Sequence, residues 1–174
     1  MVFYLFNMYY TKIFLFFSLI GFIMESTLFK IINCQKHSGI FYGPMTAVYG
    51  IGILSVELIN KYFFKKIKLS KSFKIIIEYL ILTIVLSLIE YLGGTILNLL
   101  FNIDMWNYSD KFLCINKYIC LQNSLIWGLL GLIYIYVIKK FTDKIINIIT
   151  TKETTIFLII FIIDTITVLI TKTS

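Results

Sequence analysis

Five runs of mostly apolar residues, at about 13–32, 43–64, 75–97, 119–138 and 155–170, constrain this chain more than any other feature. A helix needs about 20 such residues to cross the hydrocarbon core of a bilayer. The whole chain has 174 residues, and a globule of that size keeps too much surface to hide five such runs from water. Composition agrees, with 59% hydrophobic and 14% charged residues, where soluble domains have about half and about a quarter. A soluble enzyme, a disordered tail and a nucleic-acid-binding module are therefore excluded. The chain reads as all-α, a polytopic bundle of about five spans forming a single integral membrane domain over residues 1–174. The first run carries Glu25 and is followed by no small-residue cleavage site, so it reads as a retained span rather than a signal peptide.

Charge sets the expected orientation. All 16 basic residues are Lys, and they lie between the apolar runs. Lys61, Lys65, Lys66, Lys68, Lys71 and Lys74 share one connection; Lys139, Lys140, Lys144 and Lys152 share another, on the same side as Lys12. Lys30, Lys36, Lys111, Lys117 and Lys172 fall on the opposite side. Positive residues favour the cytoplasm, which places the N-terminus inside and the C-terminus outside. Within the second connection, Phe141, Ile145, Ile148 and Ile149 make an apolar stripe at helical spacing. A short helix over about 140–150, resting on the inner leaflet or docking a cytoplasmic partner, is expected.

Ionisable groups at membrane depth are costly and mark function by default. Glu25, Glu57, Glu90 and Asp164 fall inside the runs, with Glu78 near the inner end of the third. At about 1.5 Å per residue, Glu25, Tyr49, Glu90 and Trp127 share one layer roughly 9 to 12 Å below the outer surface. No Lys shares that layer, so each carboxyl must stay neutral, bind a cation or accept several hydrogen bonds. Tyr49, Tyr91 and Trp127 are the available donors. Glu57 and Asp164 show no matching partners. Gly43, Gly50, Gly52, Gly93, Gly94, Gly128 and Gly131 are positioned for close helix contact, and Pro44 is expected at the start of the second helix. The outer connection holds Trp106, Asn107 and Tyr108; Trp and Tyr also anchor membrane surfaces. Cys34, Cys114 and Cys120 are all expected outside. A disulfide is compatible with that side, yet three cysteines cannot pair completely, and their spacing matches no zinc or redox motif. His37, the one histidine, is expected near the surface.

Several blocks carry a resemblance. Gly21-Phe22-Ile23-Met24-Glu25, GIFYGPMTAVYGIG from Gly39 to Gly52, Glu90-Tyr91-Leu92-Gly93-Gly94, Trp106-Asn107-Tyr108-Ser109 and ICLQNSLIWG from Ile119 to Gly128 resemble, in order and separation, the CmpB-like, type IV ABC-transporter permeases of bacterial membranes. The similarity covers roughly residues 13–140. Three departures stand out. Ser38 occupies a usually basic position, Asn107 an acidic one, and Cys114 and Lys117 stand where Asn and Gly are usual; the first two suggest an ion pair in relatives.

The resemblance implies a permease-type subunit in a bacterial plasma membrane. The chain has no G-x-x-x-x-G-K-S/T phosphate loop, so a separate cytoplasmic ATPase would supply energy. The expected substrate- or cation-binding set is Glu25, Tyr49, Glu90, Tyr91, Trp106, Asn107, Tyr108 and Trp127. No cofactor is evident and no metal is assigned. The bilayer and a homo-oligomer complete the expected partners. The alternative is a polytopic membrane enzyme using paired carboxyls as acid and base near the outer leaflet, although no nucleophile elbow or H-E-x-x-H helix supports it. A chaperone-like membrane protein is a third class.

Overall fold

The computed structural model describes residues 2–31 and 39–172, with side chains from residue 8 onward. Cys34, Lys36, His37 and Ser38 therefore lie outside the described residues. Six α-helices are described: α1 Val2–Ile31, α2 Ala47–Tyr62, α3 Lys71–Phe101, α4 Leu121–Ile133, α5 Lys139–Ile148 and α6 Thr151–Lys172. A 3-10 turn, Phe64–Lys66, follows α2, and a π-helical turn, Tyr134–Ile138, joins α4 to α5. Strands β1 (Cys114–Asn116) and β2 (Ile119–Cys120) form an antiparallel hairpin. Among the described residues, five helical stretches are long and apolar enough to cross a membrane: Met8–Ile31, Ala47–Lys66, Lys71–Phe101, Leu121–Ile148 and Thr151–Lys172. Leu80, Ile84, Leu88, Leu92, Ile96 and Leu99, spaced three or four residues apart on α3, are all exposed, as a lipid-facing stripe must be.

The chain divides into two compact units, Met1–Ile51 with Thr142–Ser174, and Gly52–Phe141. In the first, α1 packs on α6. Phe161 takes Phe14 and Phe41 at ring-centroid distances of 5.2 and 5.1 Å. Gly50 lies so close to Ser18 and the Phe14 carbonyl that a Cβ would overlap both, which is the close approach small residues permit in lipid. Gly43 and Pro44 do not open α2 as expected. The helix starts at Ala47, because Gly43 forms a turn in which its carbonyl accepts the Met45 N–H at 2.8 Å. The Gly43 N–H donates to Asp164 Oδ2 at 2.8 Å and that of Tyr42 to Oδ1 at 3.1 Å. Asp164, which showed no partner in sequence, thus anchors this turn to α6.

The last span begins at Thr151, four residues earlier than expected. Thr150 and Glu153 form a reciprocal cap: the Thr150 N–H donates to Glu153 Oε2 at 2.7 Å, and the Glu153 N–H to Thr150 Oγ1 at 3.2 Å. This T-x-x-E box satisfies two otherwise orphaned donors. Lys12 closes the opposite kind of terminus. Its ammonium donates to the Ile149 carbonyl at 2.6 Å, where the end of α5 carries partial negative charge. The expected 140–150 helix is present as α5, continuous with the π turn, and Phe141, Ile145 and Ile148 on its stripe are exposed.

In the second unit, α3 packs along α4. Gly128 and Gly131 of α4 make that contact close: a Cβ on Gly128 would overlap Thr83 Oγ1 and stand 3.1 Å from Tyr79, and one on Gly131 would stand 3.1 Å from Leu82. The helix α3 runs unbroken through Gly93 and Gly94.

Candidate functional site

Helix α3 ends in a left-handed residue, Asn102 (φ 53°), whose N–H returns to the Asn98 carbonyl at 2.8 Å. Asn tolerates that conformation better than most residues. The chain then reverses and descends alongside the helix it has just left. The Asn98 amide donates to Asp104 Oδ1 at 2.9 Å. Trp106 lies over Gly94, where its Cζ2 would be 3.2 Å from a Cβ. Tyr108 Oη–H donates to Glu90 Oε1 at 2.7 Å. Four residues of helix rise about 6 Å, and two residues of extended chain about 6.6 Å, so the two ladders keep in step. Residues 90, 94 and 98 share one face of α3, and residues 104, 106 and 108 of the descending segment meet them in turn.

Glu90 lies further from the end of its helix than expected. The sequence put the outer end of the third span about seven residues beyond it, whereas α3 continues eleven residues further, to Phe101. Glu90 is 4% exposed. Oε1 is held by Tyr108, while Oε2 is buried with no hydrogen-bond partner among the described residues. Trp127, from α4, adds a looser interaction with the same carboxyl, outside strict hydrogen-bond geometry. Trp106 Nε1, one helical turn above, is likewise buried without an acceptor among the described residues. Non-helical backbone beside a membrane-spanning helix is tolerated within the hydrocarbon region only where protein covers it. Here the cover is aromatic: Trp106 meets Tyr118 edge-on, centroids 6.4 Å apart, and Tyr118 fills the space above Gly94. The site offers one open acceptor, one open donor and aromatic walls.

The loop's polar end is closed by a separate cluster. Asp104 accepts from Tyr118 Oη at 2.5 Å and from Lys117 Nζ at 2.9 Å. These donors hold the Asp104 carboxyl below the ordinary 3.8 and raise Lys117 in return. Tyr118 is pushed up, first by burial and then by the bond to Asp104. The Lys111 ammonium lies 4.9 Å from the Tyr108 ring centroid, a cation–π contact.

Of the expected set, Glu90, Tyr108 and Trp127 are brought together, with Trp106 one turn away. Tyr91 is half-buried on the adjacent face of α3, outside the cluster. Asn107 acts locally. Its Oδ1 accepts both the N–H (2.9 Å) and the hydroxyl (2.6 Å) of Ser109, forming the turn that presents Tyr108. Glu25 and Tyr49 belong to the first unit. There Tyr49 lies so close to Gly21 that a Cβ would overlap its ring, and Glu25 stands one turn further along that face of α1.

A second polar cluster escapes sequence reasoning. Glu57, 4% exposed, accepts from Tyr134 Oη at 2.5 Å and pairs with Lys139. Glu78, 1% exposed, accepts from Tyr136 Oη at 2.6 Å and has Lys74 at 3.8 Å. The π turn makes the first arrangement. Its i to i+5 bonding is seen in the Lys139 N–H that returns to the Tyr134 carbonyl, and it stacks residues five apart, so Tyr134 and Lys139 reach one carboxylate. In an α-helix they would diverge by about 140°. Glu57 therefore has the partners that sequence did not supply. Among the described residues no group of three or more His, Cys, Asp or Glu could hold a metal.

The family model described as "Putative ABC-transporter type IV" matches residues 12–171 of the chain. No curated protein and no solved structure matches it.

Proposed function

The chain belongs to this type IV ABC-transporter family and is an integral multi-pass membrane protein with apolar helices, and on that premise we propose that it is a permease-type subunit driven by a separate ATPase. The observation that carries the reading is the half-satisfied carboxyl of Glu90. A buried carboxyl oxygen without a donor costs about 1–3 kcal/mol, and such a group persists in a span when a ligand supplies the missing partner. Oε2 would accept from, or pair with, a solute's donor or a cation, and Trp106 Nε1 would donate to an acceptor on the same solute. Trp127 and Tyr108 would line its path, and Asn107 would fix Tyr108. Glu25 with Tyr49 is a second polar position, carried by the first unit, to be tested separately.

The lysine distribution supports an N-terminus inside and a C-terminus outside, in the plasma membrane of a bacterium. On that orientation the connection from Lys61 to Lys74 and the exposed stripe of α5 face the cytoplasm, where an ATPase would bind. Five spans enclose little by themselves, so the working assembly would hold more than one copy.

The test is cross-linked affinity isolation from native membranes at endogenous expression. A nucleotide-binding chain with ATPase activity should co-isolate, and substitutions of Phe141 and Ile145 by Ser should release it. Isolation of the chain with no nucleotide-binding partner would overturn the proposal.

A further inference from the structure

Cys114 and Cys120 are Cα partners across the β1–β2 hairpin. Opposed residues of an antiparallel pair have Cα atoms about 4.5–5.5 Å apart, inside the roughly 4.4–6.8 Å that a disulfide bridges. The two thiols also sense each other: Cys114 is pushed up to about 11, first by partial burial and then by its contact with Cys120. As thiols they make only weak bonds, Cys114 Sγ to the carbonyls of Tyr108 (2.9 Å) and Lys111 (3.2 Å), and Cys120 Sγ to that of Phe112 (3.2 Å).

The hairpin needs a staple. Its strands have three and two residues, too few to be stable alone. Leu113, just before β1, sits at φ 57°, a left-handed conformation that a leucine keeps only where its surroundings impose it. Yet this hairpin fixes Tyr108, whose N–H donates to the Lys117 carbonyl at 2.8 Å while its hydroxyl holds Glu90.

We propose that Cys114 and Cys120 are an oxidative modification site, closing into a disulfide that locks the hairpin and holds Tyr108 against Glu90. The site rests on the outward orientation proposed above, since oxidising compartments lie on that side. A thiolate of one cysteine attacks the disulfide of a donor, either a thiol–disulfide oxidoreductase or oxidised glutathione, and expels one donor thiol. The second cysteine then attacks the mixed disulfide and expels the other. The two protein thiols are oxidised, the donor disulfide is reduced to two thiols, and the two protons pass to those thiols. For about seven residues enclosed, the loop-entropy relation gives about a fiftyfold shift toward the closed hairpin.

The test uses the full-length chain with Cys34→Ser, purified in nanodiscs and treated with oxidised glutathione. The expected result is loss of two hydrogens in the intact mass, a Cys114–Cys120 peptide on non-reducing digestion, and amide exchange over residues 104–120 slowed by at least tenfold. Cys114→Ser and Cys120→Ser should each abolish all three. Glutathione adducts without the internal bond, or an internal bond that leaves exchange unchanged, would overturn the proposal. Orientation is read independently, by trapping thiols in intact cells with an impermeant maleimide. If the purified chain closes but the loop is inaccessible from outside, the orientation fails and so does oxidation in the cell, while the pairing geometry survives.

Discussion

Removing Lys139 should cost more than removing Glu57, and removing both should cost less than the sum. Glu57 is almost fully buried, whereas the Lys139 side chain retains 22% exposure. Lys139→Met leaves a carboxylate in low dielectric with Tyr134 as its remaining named donor. Breaking a buried pair this way costs about 3–5 kcal/mol, and the partial exposure of Lys139 places the value near the lower end of that range. In Glu57→Leu the freed ammonium can extend toward the interface, so the chief loss is the acceptor for Tyr134 Oη, about 1–2 kcal/mol. With both substituted, no unpaired charge remains and only the Tyr134 hydroxyl lacks its partner. The double variant should therefore lie within about 2 kcal/mol of the parent, a coupling of about 2–3 kcal/mol. The assay is reversible unfolding in bicelles with added denaturing detergent, followed by the fluorescence of Trp106 and Trp127. Single effects that add within about 0.5 kcal/mol would refute the shared carboxylate, and with it the role given to the π turn.

Gly128→Ala should destabilise the α3–α4 contact by about 1–3 kcal/mol, because its Cβ would overlap Thr83 Oγ1; adding Thr83→Ala should recover at least half, measured by the same unfolding. Tyr108→Phe strips Glu90 of its one well-formed hydrogen bond and should cost about 1–3 kcal/mol, and combining it with Glu90→Gln should cost less than the sum in a double-mutant cycle. Acid should loosen the loop between α3 and α4. Asp104 has a depressed folded pKa, so its contribution is fully present above the ordinary 3.8 and is lost as pH falls through the lower folded value. Amide exchange over 104–118, corrected for intrinsic rates, should accelerate in that window, and Asp104→Asn should remove the dependence.

The spans were legible because lipid demands long apolar runs whatever they pack against. Their ends were missed where a local signal went unread: Thr150-Thr151-Lys152-Glu153 marks a helix start by its capping box, four residues before the expected one, and Gly43-Pro44 is a turn rather than the first turn of α2. The pairing of Glu90 with Tyr108 was partly visible. Glu90, Gly94 and Asn98 recur every four residues and Asp104, Trp106 and Tyr108 every two, so a strand-like segment can run in register down the helix. What hid it was the assumption that an outer loop stays at the surface. The Glu57 cluster was not visible, because it depends on a π turn that shifts Lys139 onto the face of Tyr134, and no residue type in Tyr134–Ile138 encodes that turn.

The decisive measurement is ATP-dependent solute accumulation in membrane vesicles containing the chain and the proposed ATPase, with the whole metabolite pool read by mass spectrometry. Parent vesicles should accumulate a defined set of solutes only with ATP, and Glu90→Gln, shown to be folded, should lower that accumulation at least tenfold. Equal accumulation by parent and variant, or none that depends on ATP, would contradict a transport role for the Glu90 site.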